Sequence, residues 1–325
     1  MPLKKLIRFY LNRLRRLDVS PSLIDSIILK LLYPLTRVNL SATSSFSVRN
    51  FLSSNSSPVL NGSCKESEHS LHVLIPFTKK DIPTLRLCLE GAVYATNHHS
   101  KVRFTLISDQ QYRLEHLDDK FKALEVELTT DEDFLGEEFV AQIKSNYSTR
   151  AGWLIQQIIK VEFAAKCSEN LLLAIDSDTI LLKKQQWCDS GGRQIFFESE
   201  EFHSAYYDFL SRVGFRNLSK SSHITHHMIY QPSLVQRMLS SLEINSLSDW
   251  FCLLEKTNSQ IGSFASIDYE AYAQFLMDGF PDSWLLSKWS NLPLARHSDA
   301  LNLEYTRLQS LYPNYNSISF HDWYT

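Results

Sequence analysis

The run Leu171-Leu-Leu-Ala-Ile175 is apolar at every position and stops abruptly at Asp176-Ser-Asp178-Thr179. A segment with no polar face must be covered on both sides, as an interior strand of a parallel sheet is. Leu71-His-Val-Leu-Ile-Pro-Phe77 and Lys101-Val-Arg-Phe-Thr-Leu-Ile107 repeat the pattern, and Leu124-Glu-Val-Glu-Leu128 makes a plausible third strand between them and the run at 171. Helical patterns separate the strands. Asp81 is placed to cap a helix with Pro83 in its first turn and Leu85, Leu89 and Val93 as its buried stripe. Ser148 or Thr149 begins a second helix through Cys167, with Leu154, Ile158, Val161 and Ala165 facing inward. Strands alternating with helices predict an α/β fold: a Rossmann-like, mostly parallel sheet with helices on both faces and right-handed crossovers. Beyond Gly191 and Gly192 the pattern loosens into Gln194–Phe197, His223–Tyr230 and several helices, where an acceptor site would be built.

The chain divides into three. Residues 1–40 form a basic amphipathic helical segment, with six Lys and Arg among Leu3, Leu6, Ile7, Tyr10, Leu14 and Leu17 before the first acid at Asp18, and a second helix beginning at Ser20-Pro21. That pattern suits either contact with an anionic membrane surface or a helical hairpin packed on the main domain. Residues 41–70 are dominated by serine and read as a linker. Residues 71–325 are the catalytic domain, and with 44% hydrophobic residues the chain can bury a substantial core. Its 33 basic and 36 acidic residues nearly cancel, so no nucleic-acid partner is expected. Five cysteines without a C-x-x-C pair, and no signal-peptide pattern, point to a reducing, cytoplasmic setting and away from a disulfide framework or a cysteine zinc site.

Ligands of open α/β sheets bind beyond the carboxyl ends of the strands, where Asp176 and Asp178 fall. Two carboxylates two residues apart can approach one side of an extended turn and offer hard oxygens to Mg2+ or Mn2+, which also bridges substrate phosphates. The cation would neutralise charge on a leaving diphosphate. On the preceding helix, Arg150, Trp153, Gln157 and Lys160 share a stripe distinct from the apolar one. A tryptophan within a polar stripe beside this strand end suits a cleft wall, with the polar residues donating to phosphate or sugar oxygens. His223, His226 and His227 lie in a strand-like context that points 226 and 227 to opposite faces, so one of that pair lines the acceptor pocket and zinc is not expected.

The stretches Thr149-Arg-Ala-Gly-Trp-Leu-Ile-Gln-Gln-Ile-Ile-Lys160, Asp176-Ser-Asp178-Thr179, His226-His-Met-Ile-Tyr230 and Ile267-Asp-Tyr-Glu-Ala-Tyr272 resemble GT-A glycosyltransferases, and more closely a bacterial family of unknown function related to them. The resemblance covers roughly residues 71–325 and implies a GT-A-type fold that transfers a sugar from a nucleotide-diphosphate sugar to a glycan, lipid or small-molecule acceptor. It implies that Pro76, Thr78, Lys79 and Asp109 contact the nucleoside and that Ser177, between the two metal-binding aspartates, belongs to the donor site. It also implies that a histidine near the C-terminus, here His321, completes the metal site. In inverting members a carboxylate after the metal strand serves as general base, which falls on Asp268 or Glu270; retaining members need none, so the stereochemistry stays open.

Two rival readings share the D-x-D. A haloacid-dehalogenase-type phosphatase uses D-x-D-x-Thr/Val near its domain start with a later acidic pair, whereas Thr179 comes one position early, Asp176 is mid-domain and no Asp-Asp pair follows. A non-catalytic sugar-binding module could keep the same fold.

Overall fold

The computed structural model describes residues 69–112, 124, 126–215, 221–257, 259–295 and 297–321. The basic helices expected over 1–40, their membrane contact and nearly all of the 41–70 linker lie outside the described residues. In chain order the elements are β1 (Leu71–Phe77), α1 (Ile82–Thr96), β2 (Val102–Ser108), β3 (Val126–Thr130), α2 (Asp131–Leu135), α3 (Glu137–Tyr147), α4 (Ala151–Lys166), β4 (Leu171–Ile175), β5 (Thr179–Leu181), β6 (Gln194–Glu198) and α5 (Ser204–Arg212). They continue with β7 (His227–Tyr230), α6 (Pro232–Ser241), α7 (Leu247–Lys256), α8 (Ser259–Gly262), α9 (Tyr269–Gly279), β8 (Trp284–Lys288), β9 (Asn291–Ala295), α10 (Tyr305–Leu311) and β10 (Ser317–His321).

The central sheet has the order β3-β2-β1-β4-β7, parallel except for β7, which runs antiparallel to β4. This is the mixed α/β class with a mostly parallel sheet. Every residue of β1 and β4 is buried because both faces are covered. Leu172 and Ala174 enter the core that includes α3, α4, α6, α7 and α9, and Leu171, Leu173 and Ile175 enter the core beneath α1. Alternation along the strand divides one apolar run between two layers. The weaker third strand falls two residues later than its apolar pattern suggests, pairing from Phe104↔Val126 to Ser108↔Thr130. It is an edge strand with Glu127 and Leu128 exposed, so burial does not mark its ends. Among the described residues no helix is long and apolar enough to cross a membrane.

The chain leaves β1 for β2 and β3 on one side, then returns to β4 on the other. The carboxyl ends of β1 and β4 therefore flank the switch point where the strand order reverses, the usual crevice for ligands in such sheets. Two smaller assemblies accompany the central sheet: a three-stranded sheet β5-β10-β9 and a parallel pair β6-β8.

β5 lies directly on α1, and Gly91 makes the approach possible. A Cβ there would stand 2.7 Å from the carbonyl oxygen of Leu181 and 2.8 Å from its nitrogen. These are backbone atoms that cannot swing away as a flexible side chain could. Gly91→Ala is expected to cost about 1–3 kcal/mol, the usual cost of overpacking. A urea titration reads the effect, and an unchanged midpoint would mean that β5 can slide freely over the helix.

Candidate active site

The turn after β4 is held from several sides through its backbone. Asp176 N–H donates to the His226 carbonyl at 2.9 Å, Thr179 N–H closes the turn on the Asp176 carbonyl at 2.9 Å, and Phe320 N–H of β10 donates to the Asp178 carbonyl at 2.9 Å. From α1, the Thr84 hydroxyl donates to the Ser177 carbonyl at 3.0 Å. Ser177 itself is buried. The two carboxylates thus project from a backbone whose position is over-determined.

Asp176 sits in a charged network. Lys160, two and a half helical turns along α4 from Ala151, brings its Nζ within 2.6 Å of Asp176 Oδ1, 3.0 Å of Asp268 Oδ2 and 2.9 Å of the Tyr269 hydroxyl. The Tyr269 hydroxyl donates to Asp176 Oδ1 at 2.7 Å, and Asp268 caps α9 by accepting from Tyr269 N–H. Burial opposes a charge on Lys160, yet Asp176 and then Asp268 outweigh it and hold the ammonium above its ordinary pKa. Burial likewise opposes ionisation of Asp176, but Lys160 and His226 hold its carboxyl well below the usual range. For Asp268 burial wins and the pKa is raised, offset only in part by Lys160.

His226 bridges outward, with Nδ1 3.5 Å from Asp176 Oδ2 and Nε2 3.2 Å from Glu201 Oε2. Its backbone has φ of +62°, in the left-handed region that a non-glycine residue occupies only when its surroundings hold it there. Burial works against its protonation, but hydrogen bonds to Asp176 and Glu201 raise its pKa to about 10. Glu201 in turn is lowered to about 2, because His226 and His203 outweigh its desolvation.

Asp178 faces a second group. His297 Nε2 lies 3.9 Å from Asp178 Oδ2 and 3.1 Å from Asp81 Oδ1, with both His297 and Asp81 buried. Asp81 stands at the helix start as its sequence context suggests, but its carboxylate does not cap α1. It turns back to accept from Thr78 N–H at 2.9 Å and the Thr78 hydroxyl at 3.0 Å. A backbone amide, a hydroxyl and an imidazole together outcompete the first-turn amides of the helix. His321 ends β10, next to the residue that donates to Asp178, and its side chain lies outside the described residues.

The remaining predicted residues divide clearly. The stripe on α4 is not a solvated face: Gln157 and Lys160 are buried, and Gln157 Oε1 accepts from Ile267 N–H at 2.9 Å. Trp153 stacks on Tyr206 at 5.4 Å, with the Arg150 guanidinium 3.9 Å from its ring centre and Arg150 Nε donating to the Ser263 carbonyl. Of the four, only Lys160 reaches Asp176. Glu270 is fully buried, its Oε1 accepting from Tyr207 OH, Ser222 Oγ and His223 N–H, so it anchors the 222–223 loop and has no access to an acceptor hydroxyl. His227 points away from Asp176 into an aromatic box, 4.3 Å from Trp289, and burial lowers its pKa to about 4; it does not share a pocket with His226. Pro76 is buried within β1 beside Ile107, leaving Thr78 and the exposed Lys79 as the reachable part of that loop. Asp109 is exposed at the end of β2, accepting from the Tyr112 hydroxyl at 2.9 Å.

Sequence reasoning missed Glu201, His297 and Tyr269. The first two stand alone in segments without periodicity. Tyr269 is flanked by the two acids that drew notice, and its neighbourhood was the available signal.

The model of a family of unknown function, DUF6492, matches residues 94–291. No curated protein matches the chain by sequence. Among solved structures it is similar to the apo structure of the bifunctional glycosyltransferase WbbM, at 13% identity and a TM-score of 0.41, over 81% of this chain and 46% of that one. The chain thus spans less than half the length of that protein.

Two outcomes follow from the charges. Lys160→Met leaves Asp176 and Asp268 without their cation and is expected to destabilise the fold by about 3–5 kcal/mol, the range for breaking a buried pair; urea unfolding measures it, and a loss under about 1 kcal/mol would contradict the network. His226 has a folded pKa of about 10 against 6.5 when unfolded, so its protonated form stabilises fully below the lower value, and that contribution fades as pH rises through the higher one. The stability gap between the native chain and His226→Gln should be widest near about pH 6 and shrink toward about pH 10. A gap independent of pH in denaturant titrations would remove His226 from the charged network.

Proposed function

We propose that this chain, which belongs to the DUF6492 family, is a metal-dependent glycosyltransferase that moves a sugar from a nucleotide-diphosphate donor to a glycan, lipid or small-molecule acceptor. The observation that carries the reading is the placement of Asp178 at the switch point of the sheet, facing His297 and Asp81, one turn from an Asp176 already neutralised by Lys160. Carboxylate oxygens with an imidazole nitrogen form a donor set that fits Mn2+ or Mg2+. Asp178 would hold the cation, with His297 or His321 as the nitrogen ligand. When bound, it would supply charge neutralisation at the diphosphate as the bond to the sugar breaks.

The protein's own groups have separable tasks in this reading. Lys160 is committed to Asp176 and Asp268, so it sets the charge of the site and leaves direct donor contact to Thr78 and Lys79. His226, kept protonated by Asp176 and Glu201, places a second positive charge beside the turn without a mobile lysine. Tyr112, packed on Phe77 at 5.7 Å and bonded to Asp109, offers an aromatic face beside a carboxylate at the end of β2, a pairing suited to a base and a ribose hydroxyl. Of the two acids, Asp268 joins the Asp176 network through Lys160 whereas Glu270 is anchored to the 222–223 loop, so Asp268 is the one we assign as general base if transfer inverts.

The test is nucleotide release from a panel of nucleotide sugars with Mn2+, with and without candidate acceptors. Asp178→Asn should lower the metal-dependent rate by about 100-fold or more, because charge stabilisation by the cation is worth several kcal/mol, while the folding transition is retained. Hydrolysis of a simple phosphate ester with no turnover or binding of any nucleotide sugar would overturn the reading in favour of a phosphatase.

A further inference from the structure

At the opposite, amino end of the sheet lies a second group of metal-binding side chains that the proposed reaction does not use. His72 is the second residue of β1, and Cys167 and Glu169 lie in the loop joining α4 to β4. Their ligand atoms all lie within 4.8 Å of one another. Glu169 Oε2 is 3.3 Å from His72 Nδ1 and 3.3 Å from Cys167 Sγ. For a tetrahedral ion with bonds of about 2.1 Å to nitrogen and oxygen and about 2.3 Å to sulfur, the corresponding edges are about 3.4 and 3.6 Å. The two edges that meet at Glu169 already stand near the separations that such an ion requires, and the His72–Cys167 edge is within 4.8 Å.

Hydrogen bonding around the imidazole points the same way. His72 Nε2 lies 2.8 Å from Thr105 Oγ1, and the Thr105 hydroxyl is in turn directed at Glu127 Oε2, 3.4 Å away. With the Thr105 hydroxyl donating to Glu127, His72 Nε2–H donates to Thr105 and Nδ1 is the nitrogen left for a metal; without an ion the other tautomer serves, Nδ1–H donating to Glu169 Oε2. An imidazole fixed by an outer hydrogen bond at one nitrogen is also the usual arrangement of a metal-bound histidine.

The site is open enough to be loaded. A cavity of about 220 Å3 reaches the three ligands, with Phe134 and Phe163 as apolar walls and Ser168 at its rim. Arg103 binds Glu169 through the other oxygen, Oε1, at 2.7 Å, and Lys166 pairs with Glu162 at 2.9 Å. Glu169 Oε2 is turned toward His72 and Cys167 and also accepts from Ser168 Oγ at 3.1 Å.

We propose that His72, Cys167 and Glu169 bind a divalent ion of the zinc class, with the fourth position facing the cavity. On binding, the Cys167 thiol loses its proton to solvent and the thiolate becomes the sulfur ligand. The ion would tie β1 to the α4–β4 loop, at the end of the sheet opposite Asp176 and Asp178.

Titration of the full chain with Co2+, a coloured substitute for zinc, tests this directly. The expected result is a thiolate-to-cobalt charge-transfer absorption that saturates at one ion per chain, is displaced by Zn2+ and is unchanged in Asp178→Asn. Cys167→Ser, close in size to the native residue, should abolish the absorption with the circular dichroism spectrum unaltered. Thr105→Val, which removes the outer hydrogen bond, should weaken cobalt affinity about 10–100-fold. Absence of the charge-transfer absorption in the native chain, or its survival in Cys167→Ser, would overturn the proposal.

Discussion

The buried ammonium of Lys160 is the interaction on which the candidate site depends. A lysine taken out of water is costly unless carboxylates surround it, and here two do, one 16 and the other 108 residues along the chain from it. Remove the lysine and the turn after β4 would face Asp268 with like charge. With it in place, the carboxyl end of the central strand and the start of α9 can be close-packed while one edge of Asp176 stays open toward His226. The positive end of this pairing comes from α4, the helix that feeds β4, so the βαβ connection that builds the sheet also delivers the counter-charge.

That arrangement divides labour between two aspartates that look alike in the sequence. Asp176 is bonded to Lys160 and Tyr269 and faces His226, which balance its charge, while its side chain stays partly exposed. Asp178, two residues on, emerges on the side of β10 and the turn at His297. The strand period makes the distinction: neighbours at spacing two share a side only while the backbone stays extended, and the turn closed by Thr179 N–H onto the Asp176 carbonyl ends the extension.

The parts of this architecture legible in the sequence were those enforced by covering both faces. β1, β2 and β4 announce themselves because an interior parallel strand has no polar side, whereas the edge strand β3, with Glu127 and Leu128 exposed, gives a faint and displaced signal. The stripe Arg150, Trp153, Gln157 and Lys160 could be read as sharing a helix face, since that is a matter of period alone. What covers the face could not, because Ile267, Asp268 and Tyr206 arrive from distant segments. Asp268 and Glu270 show the same limit in miniature: one caps a helix toward the site and the other turns into a buried cluster of hydroxyls. Glu201 lies in irregular chain and His297 opens a single short 3-10 turn, and nothing in the local pattern marks either.

The contact between Phe320 and the Asp178 carbonyl has a consequence for how the protein matures. The parallel part of the sheet can be assembled from β1 to β4, residues 71–175, before the later helices complete the hydrophobic layer on one face. The turn bearing Asp178 is completed only when β10 pairs with β5, and the ring around Asp176 only when α9 docks. Closing loops of such length is entropically expensive and tends to come late. A partly folded chain would therefore carry a sound sheet and an unformed site, so that competence to act appears as the final event of folding and serves as a report that the whole domain is in place.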